Sequence, residues 1–312
     1  VADRHLFHSM LRIASVAQGM ITKGQPMIRH LPMFLSGLTA GRSLPSVAPQ
    51  PFRDILPTIK QDVPNPKGKI AIFTGCLLDF VYVDIATDVV KALNMAGYIV
   101  EMPLGQACCG APATYMGDVE NAKKAAEMNL NAMEAEKYDY IVSACPTCTH
   151  ALRDYVDFFK DDPEMLKKAE ELRSKTFDFC KLVSMLGGLP DTGDGVPMKV
   201  TYHDSCHLNR YLGVTKEQRE LLKATKGVEL IEMHDCDKCC GFGGSYSVKF
   251  PEMSAPILEE KINNIVASGA DVVAVDCPGC LLQIRGGLDA RGLNNIQVKH
   301  TAQIVVEKRE KK

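Results

Sequence analysis

Tryptophan is absent from the 312 residues, and aromatic side chains make up only 6% of them. The chain therefore has little with which to stack bases or sugars. Neither sign of charge is in excess: 36 Lys and Arg stand against 38 Asp and Glu, a formal net charge of −2. That balance provides no basic footprint for nucleic acid. No apolar run approaches the roughly 18 residues that a membrane-spanning helix needs. The first thirty residues are broken by Asp3, Arg4, Arg12, Lys23 and Arg29, which is unlike the apolar core of an export signal. A reducing compartment is expected on that ground. What remains is ordinary for a soluble globular chain: 46% apolar and 24% charged residues. The length suggests two domains and suffices for a core without disulfide staples.

One residue type is abundant. Twelve cysteines are dense for a chain of this size, yet too sparse for a disulfide scaffold. Ten of them fall into two matched sets. Cys76, the pair Cys108-Cys109, and Cys145-Pro-Thr-Cys148 form the first. Cys206, the pair Cys239-Cys240, and Cys277-Pro-Gly-Cys280 form the second. The offsets between them are 130, 131 and 132 residues. Glycine follows each pair (Gly110, Gly241), and proline stands second in each CxxC (Pro146, Pro278). Scattered core thiols would not repeat in this way. Cys180, on an expected helix, reads as a core residue. Cys236 completes a further CxxC with Cys239 that has no counterpart in the first set.

The segments between the cysteines alternate in type. Strands are expected at 69–74, 98–102 and 138–143, with helices at 82–96 and 118–137 and another opening at the first CxxC. The second copy repeats the pattern, with strands at 199–202, 228–233 and 271–275 and helices at 215–225, 253–268 and from Pro278. A last strand at 295–299 and a basic helix to Lys312 close the chain. The fold class is α/β: two tandem duplicated β/α/β (Rossmann-like) units with parallel sheets, plus an N-terminal helical arm. The expected domains are an arm at 1–67, a first cysteine-rich unit at 68–160, a linker at 161–197 and a second unit at 198–312. The linker reads as helical over Pro163–Leu186 and then as a Gly/Pro-rich loop. In the arm, which carries prolines at 26, 32, 45, 49, 51 and 57, Leu6, Met10, Ile13, Ala14 and Ala17 form an apolar strip. Packing of that strip on the main body is preferred over docking to a partner or a membrane surface.

In such units the carboxyl ends of parallel strands open on one edge, where ligands collect. Cys76 follows the first strand, Cys108-Cys109 the second and Cys145 the third, so three distant segments meet at that edge. Cys145 and Cys277 stand where helix N-caps would, and the positive helix end is expected to favour thiolates. Thiolate-only sites select zinc, Cu(I) or iron–sulfur clusters. Zinc needs four ligands and leaves one of five spare, whereas an adjacent pair can serve different irons of a cluster. Iron–sulfur is favoured and zinc stays open. His203 and His207 flank Cys206 and are candidates for ligation or proton donation, although a role in hydrogen bonding around the site is the simpler reading. Lys238 and Arg210 either offset cluster charge or form surface ion pairs.

The spacing C-x31-CCG-x34-CPxC, repeated as C-x32-CCG-x35-CPxC, resembles the cysteine-rich CCG domain family. That domain occurs in heterodisulfide reductase subunits B and D, in the iron–sulfur subunits of glycolate and lactate oxidases, and in the C subunit of anaerobic glycerol-3-phosphate dehydrogenase. The segments around Gln106-Ala-Cys-Cys-Gly, His203-Asp-Ser-Cys-His and Cys239-Cys-Gly-Phe-Gly-Gly are most similar to the oxidase branch. The resemblance implies an iron–sulfur electron-transfer subunit between an FAD-containing flavoprotein 2-hydroxy-acid dehydrogenase and a downstream acceptor, among other redox subunits. The alternative it implies is disulfide reduction at a noncubane [4Fe-4S] cluster on Cys206, Cys239, Cys240, Cys277 and Cys280. Two [4Fe-4S] clusters are implied on the ten cysteines, with zinc in the first motif as the alternative. A cytoplasmic place, with peripheral membrane association through the complex, is implied too. The oxidase branch carries two ferredoxin motifs that this chain lacks. They are expected either upstream of residue 1 or on another subunit, the first being preferred.

Overall fold

A computed structural model of the chain describes residues 4–19, 27–29, 42–190 and 195–309. Pro26, Pro32, residues 191–194 of the expected loop and the last three residues of the closing helix lie outside them. The chain divides into two compact units. One gathers residues 1–11 and 50–190, the other 12–49 and 191–312.

The first unit is built on four parallel strands: β1 (Gly68–Ile72), β2 (Tyr98–Glu101), β3 (Tyr140–Ser143) and β4 (Thr176–Asp178), in the order β2-β1-β3-β4. The second repeats it with β5 (Met198–His203), β6 (Val228–Leu230), β7 (Val272–Val275) and β8 (Gln297–Lys299), in the order β6-β5-β7-β8. Every neighbouring pair within these two sheets is parallel. Parallel strands require helical crossovers that cover both faces of a sheet, which is why the central strands carry continuous apolar runs. Ile70, Ala71 and Ile72 in β1 and all of Val272–Val275 in β7 are buried. In the second unit Val200, Tyr202, Leu222, Val272, Ala274 and Ile304 form one core cluster.

The fold class stands as the sequence predicts it. In both units the chain leaves β1 or β5 toward one side of the sheet and returns to build the other side. This reversal opens a crevice at the carboxyl ends of the two central strands.

Two expectations change. The stretch Pro163–Leu186 is not one helix but a helix (Pro163–Lys175), the strand β4 and a second helix (Phe179–Met185). Three residues are too few to show a strand period, and hydrogen bonding to β3 decides their conformation. Asp178 then caps the next helix by accepting from the Cys180 amide at 2.9 Å. After β8, His300 plays the same part, its Nδ1 accepting from the Ala302 amide at 3.0 Å.

The second change concerns the N-terminal helix, Arg4–Ala17. Leu6, Met10 and Ile13 are exposed, at 59%, 60% and 68%, so most of the apolar strip faces outward rather than packing on the body. The packed face is the neighbouring one. Phe7 and Leu11 are half-buried, and the His8 ring lies 5.0 Å from that of Phe80.

Candidate metal centres

Each unit brings its five cysteines together at the crevice. None of the twelve cysteines is in a disulfide. Cys76 leads from β1 into the helical turn Leu77–Phe80. Cys108 and Cys109 lie in the loop after β2. Cys145, in extended conformation, is the N-cap of the helix Pro146–Asp154, with Cys148 in its first turn. Cys277 caps the helix Pro278–Ala290 in the same way. Cys206 leads into a π-helical turn, His207–Tyr211, a device often found beside functional sites.

The sulfurs repeat one pattern of contacts. Cys76 and Cys109 donate to Cys108, and Cys148 donates to Cys109 and Cys145. In the second unit Cys206 and Cys240 donate to Cys239, and Cys280 donates to Cys240 and Cys277. The first member of each pair is therefore the common acceptor of its neighbours. Cys109 and Cys76, and likewise Cys148, are pushed up by donating to a neighbouring sulfur and by burial. Cys239 is pulled down to about 2 by Cys206 and Cys240, with help from the Gly241 amide, which donates to its Sγ at 3.3 Å. Cys108 is lowered by Cys109 and Cys76, and the Gly110 amide assists in the same way. The expectation that the helix N-terminus lowers its cysteine is not met at Cys148 and Cys280. Burial and donation to neighbouring sulfurs push both up.

Polar side chains that the sequence reading missed hold each loop. In the first unit the Asn129 carboxamide accepts from the Ala107 amide at 2.8 Å and donates to the Cys108 carbonyl at 2.9 Å. Tyr155 donates to the Cys109 carbonyl at 2.9 Å. Asn129 stands on the buried face of the helix Val119–Met133 beside Ala122, Ala125 and Ala126. A polar residue in such a stripe is a signal that the sequence does carry. In the second unit Ser254 donates to the Gly241 carbonyl at 2.7 Å and accepts from Gln283 at 3.2 Å. Lys261, 1% exposed, donates to the carbonyls of Asp235 and Cys236 at 2.6 and 3.2 Å. Burial lowers its pKa.

The helical turn that follows Cys76 is anchored by Asp79. Its carboxylate, 0% exposed, accepts from the Arg53 amide at 3.0 Å and from Arg53 Nε at 2.7 Å. Burial raises its pKa in spite of that partner. Arg53→Ala leaves this carboxyl group buried without its cation, and a loss of about 3–5 kcal/mol is expected. Urea titration of the two proteins measures it; a change below about 1 kcal/mol would deny the pair this role.

The remaining candidates separate. His203 is fully buried, and neither ring nitrogen has a hydrogen-bond partner. Burial and the charge of Lys261 drive it down to about 3, which leaves the ring neutral. One of its nitrogens lies with Cys240 Sγ and Cys280 Sγ within 4.8 Å of one another. His207 stacks on Tyr211 instead, 5.2 Å between ring centroids. Cys236 lies against Asp204 and accepts from Arg219 at 3.5 Å, and Cys180 is buried in the core. Lys238 forms surface ion pairs with Asp235 and Glu260 at 2.7 and 2.6 Å, while the charge of Arg210 acts on Cys206.

The two centres differ in access. Cys76 is half-buried and its four companions are buried, whereas Cys239 is exposed. A groove of about 230 Å³, lined by Lys238, Cys239, Ile257, Glu260, Lys261 and Asn264, opens on it.

Residues 70–153 and 200–285, one stretch in each unit, match the family described as Cysteine-rich domain, CCG. The chain belongs to the CCG family. Among its relatives is lactate utilization protein A of Shouchella clausii (strain KSM-K16), 39% identical over 240 residues, which cover 77% of this chain and 99% of that protein. The protein of the same name from Bacillus subtilis (strain 168) is 36% identical over 238 residues, 76% of this chain and 98% of the relative. A crystal structure of a hypothetical protein from Helicobacter pylori shares the fold with a TM-score of 0.56 at 11% identity. The alignment covers 99% of this chain but only 59% of that one.

As a CCG protein, the chain has the donor set that an iron–sulfur cluster requires. Five sulfurs converge in each unit, the first of each adjacent pair is held well below the usual thiol range by its neighbours, and backbone amides are aimed at it. Such a set is soft and polynuclear in character, and it exceeds what one structural zinc needs. No helix among the described residues is long and apolar enough to cross a membrane.

Proposed function

We propose that this chain is an iron–sulfur subunit of a lactate-utilization system that relays electrons from a flavoprotein 2-hydroxy-acid dehydrogenase to a downstream acceptor. The observation that carries the reading is the duplicated set of five thiols, complete in both units of a chain whose relatives bear the name lactate utilization protein A. Cys76, Cys108, Cys109, Cys145 and Cys148 would hold one [4Fe-4S] cluster, and Cys206, Cys239, Cys240, Cys277 and Cys280 the other. Bound there, a cluster supplies one-electron redox chemistry. The chain's own part is to hold the sulfurs ionised, to direct the Gly110 and Gly241 amides at them, and to keep water from all but the outer cysteines. The exposed Cys239 marks the second centre as the place where electrons pass to or from a partner. A cytoplasmic location belongs to this reading.

A second reading, disulfide reduction at the second centre, is favoured by the groove that opens on the exposed Cys239. The two readings are separated by supplying the reduced protein with low-molecular-weight disulfides. Cleavage supports the second, and its absence removes it.

The primary test is iron and acid-labile sulfide content with EPR on anaerobically isolated protein and its associated subunits. About eight irons per chain are expected, reduced on addition of lactate. Colourless protein with zinc at both sets would overturn the reading. About four irons and one zinc would leave a single relay centre, with the first set structural.

A further inference from the structure

We propose that His203 is a metal ligand of the second centre, which is thereby held by thiolates and one imidazole, whereas the first is held by sulfur alone. The inference rests on the iron–sulfur reading above and deepens it.

Four observations support it. The ring is fully buried with both nitrogens unpartnered, a costly condition unless something bound there relieves it. One ring nitrogen lies within 4.8 Å of both Cys240 Sγ and Cys280 Sγ, a spacing that one metal ion can span with ordinary metal–nitrogen and metal–sulfur bonds. Cys240 and Cys280 are themselves buried, so the ring nitrogen and both sulfurs form one enclosed donor set.

The fourth observation is the contrast between the repeats. His203 stands three residues before Cys206. The residue three before Cys76 is Phe73, equally buried and with no atom that could bind a metal. The two sets share the pattern of their cysteines but not this buried neighbour.

The test is electron spin echo modulation of the full-length, anaerobically purified protein, prepared with 14N-histidine and with 15N-histidine. A modulation from bound nitrogen that changes with the isotope is expected. It is lost in His203→Phe, which places in the second unit the side chain that the first unit has, and it persists in His207→Phe. Absence of any isotope-sensitive modulation in the native protein overturns the assignment, and so does its persistence in His203→Phe. The native comparison stands even if the variant fails to fold. Iron content keeps the two claims apart. Iron without histidine coupling overturns the ligand alone. Protein with zinc and no iron overturns the relay reading, and zinc-edge absorption of native protein then shows directly whether nitrogen is bound.

Discussion

Replacing Cys108 and Cys109 together with serine is expected to remove about half of the iron and sulfide and to leave the second centre loaded. The reason is topological. All five sulfurs of a set come from loops at the edge of one sheet, so no ligand is shared between sets. Within a set the adjacent pair is the hub, since Cys76 donates to Cys108 and Cys148 to Cys109. Serine cannot substitute as a soft ligand, because its hydroxyl neither ionises at neutral pH nor matches iron. The reciprocal change, Cys239→Ser with Cys240→Ser, removes the other half. Iron and sulfide assays on both proteins, with circular dichroism to confirm that the sheets persist, read the result. Loss of all iron from either variant would mean that the two sets are not independent centres. Undiminished iron would mean that the pair is not a ligand.

Gly241→Ala is expected to destabilise the second unit more than Gly110→Ala destabilises the first. Both glycines follow a cysteine pair, and both have φ of +83°, a left-handed conformation that costs an ordinary residue about 1–2 kcal/mol. They differ in the space beside them. A Cβ on Gly241 would stand 2.7 Å from the Ser254 carbonyl oxygen, a backbone atom in the long helix Pro251–Ala267. A Cβ on Gly110 would stand 3.3 Å from the Ala122 carbonyl oxygen, a contact that a shift of a few tenths of an ångström relieves. The first substitution must therefore move backbone, and with it the Ser254 hydrogen bond to the Gly241 carbonyl and the Gly241 amide on Cys239. A loss of about 2–5 kcal/mol is expected for Gly241→Ala, against about 1–2 kcal/mol for Gly110→Ala. Urea unfolding of the two variants, with iron content measured alongside, provides the comparison. Equal losses would mean that the close approach to Ser254 carries no weight.

Much of this was legible in the residues. The cysteine spacing, doubled at nearly constant offset, identified the members of both sites. Apolar runs such as Ile70-Ala-Ile and Val272-Val-Ala-Val identified the buried strands, because strands covered on both faces have no polar side to alternate with. Proline after Cys145 and Cys277 marked two helix starts, since a missing amide is harmless at the first helical position. Other features were hidden for specific reasons. Strand β4 is three residues between two helices, and only pairing with β3 makes it extended. The strip on the N-terminal helix was correctly apolar, but periodicity does not say which face a neighbour covers, and Phe80 takes the adjacent one. Lys261 lies on the covered face of its helix, where nothing in the local pattern sets it apart from an ordinary surface lysine.

By itself, then, the sequence determined the α/β class, the duplication and the ten sulfurs of the two candidate centres. These follow from local pattern and from spacing along the chain. Only the tertiary structure decided which sulfur of each set accepts from its neighbours, that Cys239 is exposed while no cysteine of the first set is, and that His203 lies beside the sulfurs while His207 stacks on Tyr211. Those properties depend on which donors, charges and backbone groups from distant segments meet at one sheet edge, and burial there sets how strongly each is felt.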